Sequence, residues 1–136
     1  MDAMTLTGEQ LLADVQRRRI PEDALGLWWL GQVSFIVRGA GVTVYVDPYL
    51  NPSPRRIAPP PFRPEQVTNV DVVLCTHDHG DHIDPTALPG IAAASPRARI
   101  VVPGVARDKV VGLGVPAERV IVPPVDEPMA RGTPLP

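Results

Sequence analysis

The sequence has little of what marks several large protein classes. Its 136 residues include one cysteine, Cys75, which excludes an intramolecular disulfide and predicts a reducing compartment, the cytoplasm. No apolar run approaches the roughly 18 residues of a membrane span, and the N-terminus lacks a signal-peptide pattern. Lys and Arg number 13 against 15 Asp and Glu, so the basic excess of a nucleic-acid-binding module is missing. We therefore expect neither nucleic acid nor a membrane as partner.

Apolar residues and proline are what the sequence has in quantity. Hydrophobic residues make up 44% of the chain, enough for the core of one small domain. Proline occupies 18 of 136 positions, well above the usual level of roughly 5%. Helix, strand and proline patterns divide the chain into an N-terminal helical segment (1–24), a main domain (25–122) and a Pro-rich tail (123–136).

The local patterns predict an α/β fold. A first helix is expected over 7–19, because Thr7 and Gln10 have capping-box spacing. A second is expected over 85–94, with Asp84 as N-cap and proline at the first helical position, and a short third follows over 104–111. Residues 50–64 contain six prolines and predict an irregular loop. Short apolar runs predict strands over 27–30, 33–37, 42–46, 70–75, 99–103 and 118–122.

All three histidines lie within six residues, directly after the predicted strand over 70–75. The order is His77-x-His79-x-Asp81-His82. Imidazole and carboxylate are good ligands for zinc and similar divalent metals, and Gly80 permits the backbone to curl so that these side chains converge. A solvated polar turn is the alternative, but chance clustering of every histidine around two aspartates is improbable. The sequence therefore predicts a metal site in this loop.

Other conspicuous residues have simpler interpretations. Trp28 and Trp29 are expected to be core and sheet-face residues, with a binding platform as the alternative. Cys75 is expected to point into the core, with a reactive thiol or an extra metal ligand as the alternative.

The histidine cluster resembles the His-x-His-x-Asp-His signature of the metallo-β-lactamase fold. Further segments, in the same order, are similar to those of L-ascorbate-6-phosphate lactonase-like hydrolases, and the resemblance covers about residues 25–122. These segments are Trp28-Trp29-Leu30-Gly31, Val44-Tyr45-Val46-Asp47-Pro48, residues 76–84 and residues 112–119. The resemblance implies half of an αββα sandwich: a mostly antiparallel sheet with helices on one face.

The resemblance also implies roles for individual residues. His77 and His79 match ligands of a first metal ion, and Asp81 and His82 match ligands of a second. Asp47 matches an acid that supports the metal ligands from behind, and Asp81 is in addition the candidate catalytic residue. The two ions, zinc or manganese, would activate a water as hydroxide and polarise a substrate carbonyl. The implied function is that of a metal-dependent hydrolase that opens the lactone ring of a sugar acid.

The implied substrate is a small molecule, the sugar acid being phosphorylated in the lactonase branch. Three arginines of the Pro-rich loop, Arg55, Arg56 and Arg63, are candidates to bind that phosphate as bidentate donors. The alternative is that they are solvated surface residues.

The sequence departs from the family downstream of the cluster. Both metal sites need further histidines and a bridging aspartate there, and no histidine follows His82. The chain therefore resembles the N-terminal half of such an enzyme, inactive alone and completed by a C-terminal half or by a second copy in a homo-oligomer. The alternative is a truncated, non-catalytic gene product that at most binds a metal or a partner chain.

Overall fold

The structure is a computed structural model that describes residues 6–124, within which one six-stranded sheet carries three α-helices. The strands are β1 Gly26–Gly31, β2 Ser34–Gly39, β3 Val42–Val46, β4 Val72–Leu74, β5 Arg99–Val101 and β6 Val120–Ile121. The helices are α1 Gly8–Arg17, α2 Ala87–Ala94 and α3 Arg107–Gly112, with 3-10 turns at Pro64–Gln66, Gly104–Ala106 and Ala117–Arg119. The predicted α/β class is confirmed. Most of the predicted Pro-rich tail lies outside the described residues.

The strands lie side by side in chain order, and their directions correct one detail of the prediction. β1, β2 and β3 are antiparallel, but β3 through β6 pair in parallel, so the sheet is mixed and not mostly antiparallel. The physical reason is the length of the connections. Two-residue turns can only reverse the chain, whereas the long segments after β3, β4 and β5 cross over and return it to the same end of the sheet.

The core lies between the helices and one face of the sheet. Strand register places Ile36, Tyr45 and Val73 side by side on this face, and all three are fully buried. Each helix adds buried apolar side chains to the same cluster, among them Val15, Leu88, Ile91 and Val110. The predicted placement of helices on one face is confirmed.

The opposite face of the sheet remains largely open to water along β1, β3 and β4. We call this the uncovered face; its exposed apolar side chains are Leu27, Trp29, Val42 and Leu74. The two neighbouring tryptophans therefore separate as expected. Trp28 packs on the core side and donates its indole N–H to Asp14 of α1 at 2.8 Å, while Trp29 stands on the uncovered face.

Two helix starts differ from prediction. Thr7 is the N-cap of α1, but its side chain makes no capping hydrogen bond, and Gly8, at a φ of 56°, directs its backbone N–H to the carbonyl of Pro61. A glycine adopts this left-handed conformation without strain. α2 begins at Ala87, two residues later than predicted, although the Asp84 carboxylate still accepts the backbone N–H of Thr86.

None of the helices within residues 6–124 has the length and apolar character required to cross a membrane.

Candidate metal site

The predicted cluster forms a tight loop, residues 76–83, which we call the histidine loop. β4 ends just before it, and the chain then turns back on itself: the backbone N–H groups of His82 and Ile83 both donate to the carbonyl of His79. The turn brings the rings close together, with the centroid of His77 3.8 Å from that of His82 and 4.4 Å from that of His79. The structure thus brings all three histidines together.

His77 and His79 direct two nitrogens at each other. His77 Nε2 and His79 Nδ1 are 3.0 Å apart. Two nitrogens that share one tetrahedral zinc ion, each at about 2.0–2.1 Å, lie roughly 3.4 Å apart. The observed separation is therefore close to the one a shared ion requires. In the chain without metal, one nitrogen carries a proton and donates it to the other.

His82 is oriented from behind by a buried acid. Asp47 follows β3 in a left-handed conformation, with a φ of 44°, which Asp tolerates better than most residues. Its carboxylate accepts the backbone N–H and the hydroxyl of Thr76, both at 2.8 Å, and lies 2.9 Å from His82 Nδ1. Asp47 is 3% exposed, so its carboxylate is shielded from water.

The same network selects the imidazole nitrogens that carry lone pairs. Thr76 has one hydroxyl proton and gives it to Asp47, so its oxygen accepts from His77 Nδ1, which lies 2.9 Å away. His82 Nδ1 donates to Asp47 in the same way. Both rings then carry their lone pair on Nε2. The lone pair of His77 Nε2 accepts the proton of His79 Nδ1, and a metal ion shared by these two nitrogens would displace that proton.

Asp81 lies at the edge of the cluster, half-exposed. One of its carboxylate oxygens is 3.7 Å from His82 Nε2, and the other accepts the side-chain N–H of Gln32 at 2.8 Å. Gln32 occupies the turn between β1 and β2 with a φ of 50°. Its part in the site was not predicted, because the contact joins residues 49 positions apart and no local pattern announces it.

Two further residues hold the histidine loop in place. Asp84 is completely buried, and its carboxylate accepts the backbone N–H groups of Leu50 and Asn51, which ties the loop to the segment after β3. Lys109 of α3 forms an ion pair with Asp78 at 2.5 Å. Asp84 was predicted only as a helix cap, and Lys109 carried no signal in the sequence.

The histidine loop offers ligands for divalent metal ions in two pairs. His77 and His79 supply two nitrogens, and Asp81 with His82 supplies a carboxylate and an imidazole. Across residues 6–124, however, no three His, Cys, Asp or Glu side chains are arranged so that they could hold one ion. Cys75 does not add a ligand, because it is buried in the core; burial, and then the nearby Asp47 charge, raise the pKa of its thiol to about 12.

An open groove of about 880 Å³ extends from Asp81 along the β1–β2 turn and the Pro-rich loop. Arg55 and Arg56 line it, and both lie on the loop that the sequence predicts to be irregular. Arg63 is not among the lining residues, so the structure separates the three candidate arginines.

Comparison with known proteins gives one family. Residues 26–128 match the model of the beta-lactamase superfamily domain. A UPF0173 metal-dependent hydrolase of Hyperthermus butylicus is 32% identical over 127 residues, which cover 78% of this chain and 52% of that protein. An N-acyl-phosphatidylethanolamine-hydrolyzing phospholipase D 1 of Caenorhabditis elegans is 31% identical over 90 residues, 60% of this chain and 25% of that protein. The chain thus spans between about a quarter and about half of the length of these curated relatives.

A solved structure shares the fold. Igni18, described as a metallo hydrolase of Ignicoccus hospitalis, superposes with a TM-score of 0.55 over 79% of this chain and 42% of that one, at 20% identity. The six-stranded sheet with its helices on one face is therefore an arrangement already seen in metallo-hydrolases.

Proposed function

Because the chain belongs to the beta-lactamase superfamily, we propose that it supplies the histidine-loop half of the active site of a metal-dependent hydrolase. The observation that carries this proposal is the pairing of His77 Nε2 with His79 Nδ1, beside a His82 whose Nδ1 is held by buried Asp47. A solvated polar turn would not require a buried carboxylate such as Asp47, which is 3% exposed, next to His82.

The proposed ligands are His77 and His79 for one ion, and Asp81 and His82 for a second. A divalent metal bound there supplies Lewis-acid activation of water and of the substrate's carbonyl. This chain's own residues do the positioning. Asp47 and Thr76 fix the tautomers of His77 and His82, so that the lone pair of each of these two rings lies on Nε2. Gln32 holds the Asp81 carboxylate at the edge of the site.

The finer proposal concerns the substrate. The order of the segments around the histidine loop is similar to that of L-ascorbate-6-phosphate lactonase-like hydrolases, which supports a sugar-acid lactone as substrate and zinc or manganese as the metal. Asp81 is the proposed catalytic residue, since it lies both in the ion cluster and in the wall of the groove. The competing proposal is a non-catalytic chain that binds a metal or a partner without turnover.

Metal binding and turnover test the two proposals separately. We expect the metal-free 136-residue chain to bind zinc or manganese in calorimetric titration, and His79→Ala to abolish most of the binding. Asp108→Ala is the matched control, because its side chain is 98% exposed and distant in sequence from the loop. Absence of binding by the wild-type chain contradicts the metal site.

Turnover by the chain alone is expected to be negligible. A fully coordinated metal ion supplies several kcal/mol of charge stabilisation to the transition state. Because this chain offers only two ligands for each ion, we expect much of that stabilisation to be lost. Hydrolysis of aldonolactones is measured with and without added metal. Metal-dependent hydrolysis that His79→Ala removes would contradict this expectation and show that the described residues suffice.

A further inference from the structure

We infer that Arg55 binds the anionic group of a substrate in the groove beside Asp81, while Trp29 and Ile57 contact an apolar group of the same molecule. The ligand class is therefore an amphiphilic oxyanion; a phosphorylated sugar-acid lactone, the substrate proposed above, would share the contact with Arg55 but not the apolar contacts. The inference rests on the proposed function only in assigning this ligand as the substrate. Binding itself requires neither metal nor turnover.

The groove has the size of a small-molecule site. Its volume of about 880 Å³ lies within the range of roughly 300–1,000 Å³ that small-molecule sites occupy. Asp81 lies in its wall, so a molecule that fills the groove reaches the histidine loop. The groove is thus large enough for a ligand that extends well beyond the reacting bond.

The two arginines of the groove differ in their contacts. Arg56 is committed to the protein: its guanidinium donates to the carbonyls of Tyr49 at 2.9 Å and Ala58 at 3.0 Å, and it stacks 4.7 Å from the centre of the Tyr49 ring. These contacts tie together the two ends of the loop segment that forms the groove. Arg56 is therefore a positioning residue.

Arg55 is the arginine that is available to a ligand. It is exposed, and within residues 6–124 its guanidinium makes no hydrogen bond or ion pair; only its backbone N–H is engaged, by Ser53 Oγ at 3.3 Å. A guanidinium presents five donors in a fork that suits carboxylate and phosphate. Asp81 is the acid among the described lining residues, and Gln32 already donates to it. An anionic group at this end of the groove would therefore meet the Arg55 guanidinium, which forms no ion pair with an acid within residues 6–124.

Two apolar side chains of the groove are exposed. Ile57 projects fully into solvent, and Trp29 is 66% exposed. Both line the groove. The indole N–H of Trp29 donates to the carbonyl of Gln32 at 2.9 Å, which fixes the ring at the β1–β2 turn. A fixed aromatic ring and an exposed isoleucine beside an unpaired arginine favour a ligand with an apolar group next to its charge.

Three probes test the assignment on the metal-free 136-residue chain: phenyl phosphate, inorganic phosphate and phenol. Affinity is followed by tryptophan fluorescence and by nuclear magnetic resonance of the arginine side chains. We expect phenyl phosphate to bind more tightly than either of the other two. Arg55→Gln should weaken phenyl phosphate binding roughly five- to twentyfold, as expected for loss of a hydrogen bond to a charged group at a partly solvated site.

The matched control is Arg63→Gln, which removes the same charge from the same Pro-rich loop outside the groove. It should leave binding within about twofold of wild type. Ile57→Ser should weaken phenyl phosphate binding and leave inorganic phosphate unaffected. Circular dichroism establishes that each variant is folded.

Three outcomes would overturn the inference. Equal losses in Arg55→Gln and Arg63→Gln mean a general effect of net charge, and unchanged binding in Arg55→Gln means that the anion binds elsewhere. Failure of the wild-type chain to bind phenyl phosphate at millimolar concentration means that the groove is not a site for this class. Because no metal is present, these results are independent of the metal titration that tests the proposed function.

Discussion

At the scale of single residues, Asp47 determines the geometry of the histidine loop. It accepts two hydrogen bonds from Thr76 and lies within hydrogen-bond distance of His82 Nδ1. A group that orients ligands in this way affects metal affinity without touching the metal. Its effect can therefore be separated from that of the ligands themselves.

The variant Asp47→Asn is expected to lower zinc affinity about tenfold to a hundredfold. The side chain keeps its shape, and Asn also tolerates a positive φ, but one carbonyl oxygen cannot serve Thr76 and His82 together. Competition with a chelator measures the affinity. Asp108→Asn, which removes a fully solvated carboxylate, should bind zinc like wild type; a folded Asp47→Asn chain that did the same would show that Asp47 is only structural.

Cys75 is expected to be inert in the folded chain. It is 3% exposed, and burial together with the Asp47 charge raises the pKa of its thiol from 9.0 to about 12. The thiolate is the reactive form, so alkylation by iodoacetamide at pH 8 should be far slower in the native chain than in denaturant. Mass spectrometry gives both rates, and similar rates would contradict the buried position.

The same shift links Cys75 to alkaline stability. The thiol ionises more readily in the unfolded chain than in the folded one, so unfolding releases a proton above the unfolded pKa. The contribution to stability is fully present below pH 9 and is lost as the pH rises toward about 12.

At the scale of elements, one carboxylate fastens α1 to the sheet. Asp14 accepts two hydrogen bonds from Arg18 and one from the indole of Trp28, on β1. The Arg18 bonds first, and then the Trp28 bond, lower the pKa of Asp14 below its ordinary value of 3.8. The unfolded chain therefore takes up a proton at this site at a higher pH than the folded chain does.

Stability from Asp14 should consequently disappear in acid. It is fully present above pH 3.8 and is lost as the pH falls through the lowered folded value. In urea unfolding followed by tryptophan fluorescence, Asp14→Asn should be less stable than wild type at pH 7, and the difference should shrink toward pH 3. Asp23→Asn, an exposed acid outside α1, is the control; a difference that stayed constant with pH would exclude this linkage.

Most of the elements could be predicted from the sequence, because short apolar runs and turn residues mark them locally. The strand over 42–46 has its predicted bounds, and residues 50–64 are irregular as expected. Strand direction was not predictable in the same way. It depends on whether a connection reverses the chain or crosses over, and the parallel pairings of β3 to β6 follow from long connections whose paths no local pattern encodes.

The site likewise contains residues that a local pattern predicts and contacts that it does not. The histidine loop is a dense local pattern, and its residues were identified together. The contacts that shape it come from afar: Gln32 reaches Asp81 from the β1–β2 turn, and Lys109 reaches Asp78 from α3. Asp84 makes contacts of both kinds. Its capping contact with Thr86 was predictable from the local pattern, whereas its hydrogen bonds to the segment after β3 were not.

At the scale of the whole molecule, the two faces of the sheet differ in how much apolar surface they expose to water. One face packs against the helices and forms the core, while Leu27, Trp29, Val42 and Leu74 of the uncovered face are between 37% and 66% exposed. Half-buried Val37 and Val44 lie between them in the strand register. Soluble monomers rarely present so continuous an apolar surface without a partner.

We therefore expect the 136-residue chain to self-associate or to bind a second apolar surface through the uncovered face. Each large apolar side chain contributes about 1.5–3 kcal/mol when it becomes fully buried, so even partial burial of four such residues favours association. Light scattering should show a dimer or larger species that binds a hydrophobic dye. The double substitution Leu27→Thr and Leu74→Thr should shift the chain toward monomer, whereas Val105→Thr, an exposed residue outside the strands, should not. A stable wild-type monomer without dye binding would show that the face is already covered by the chain itself.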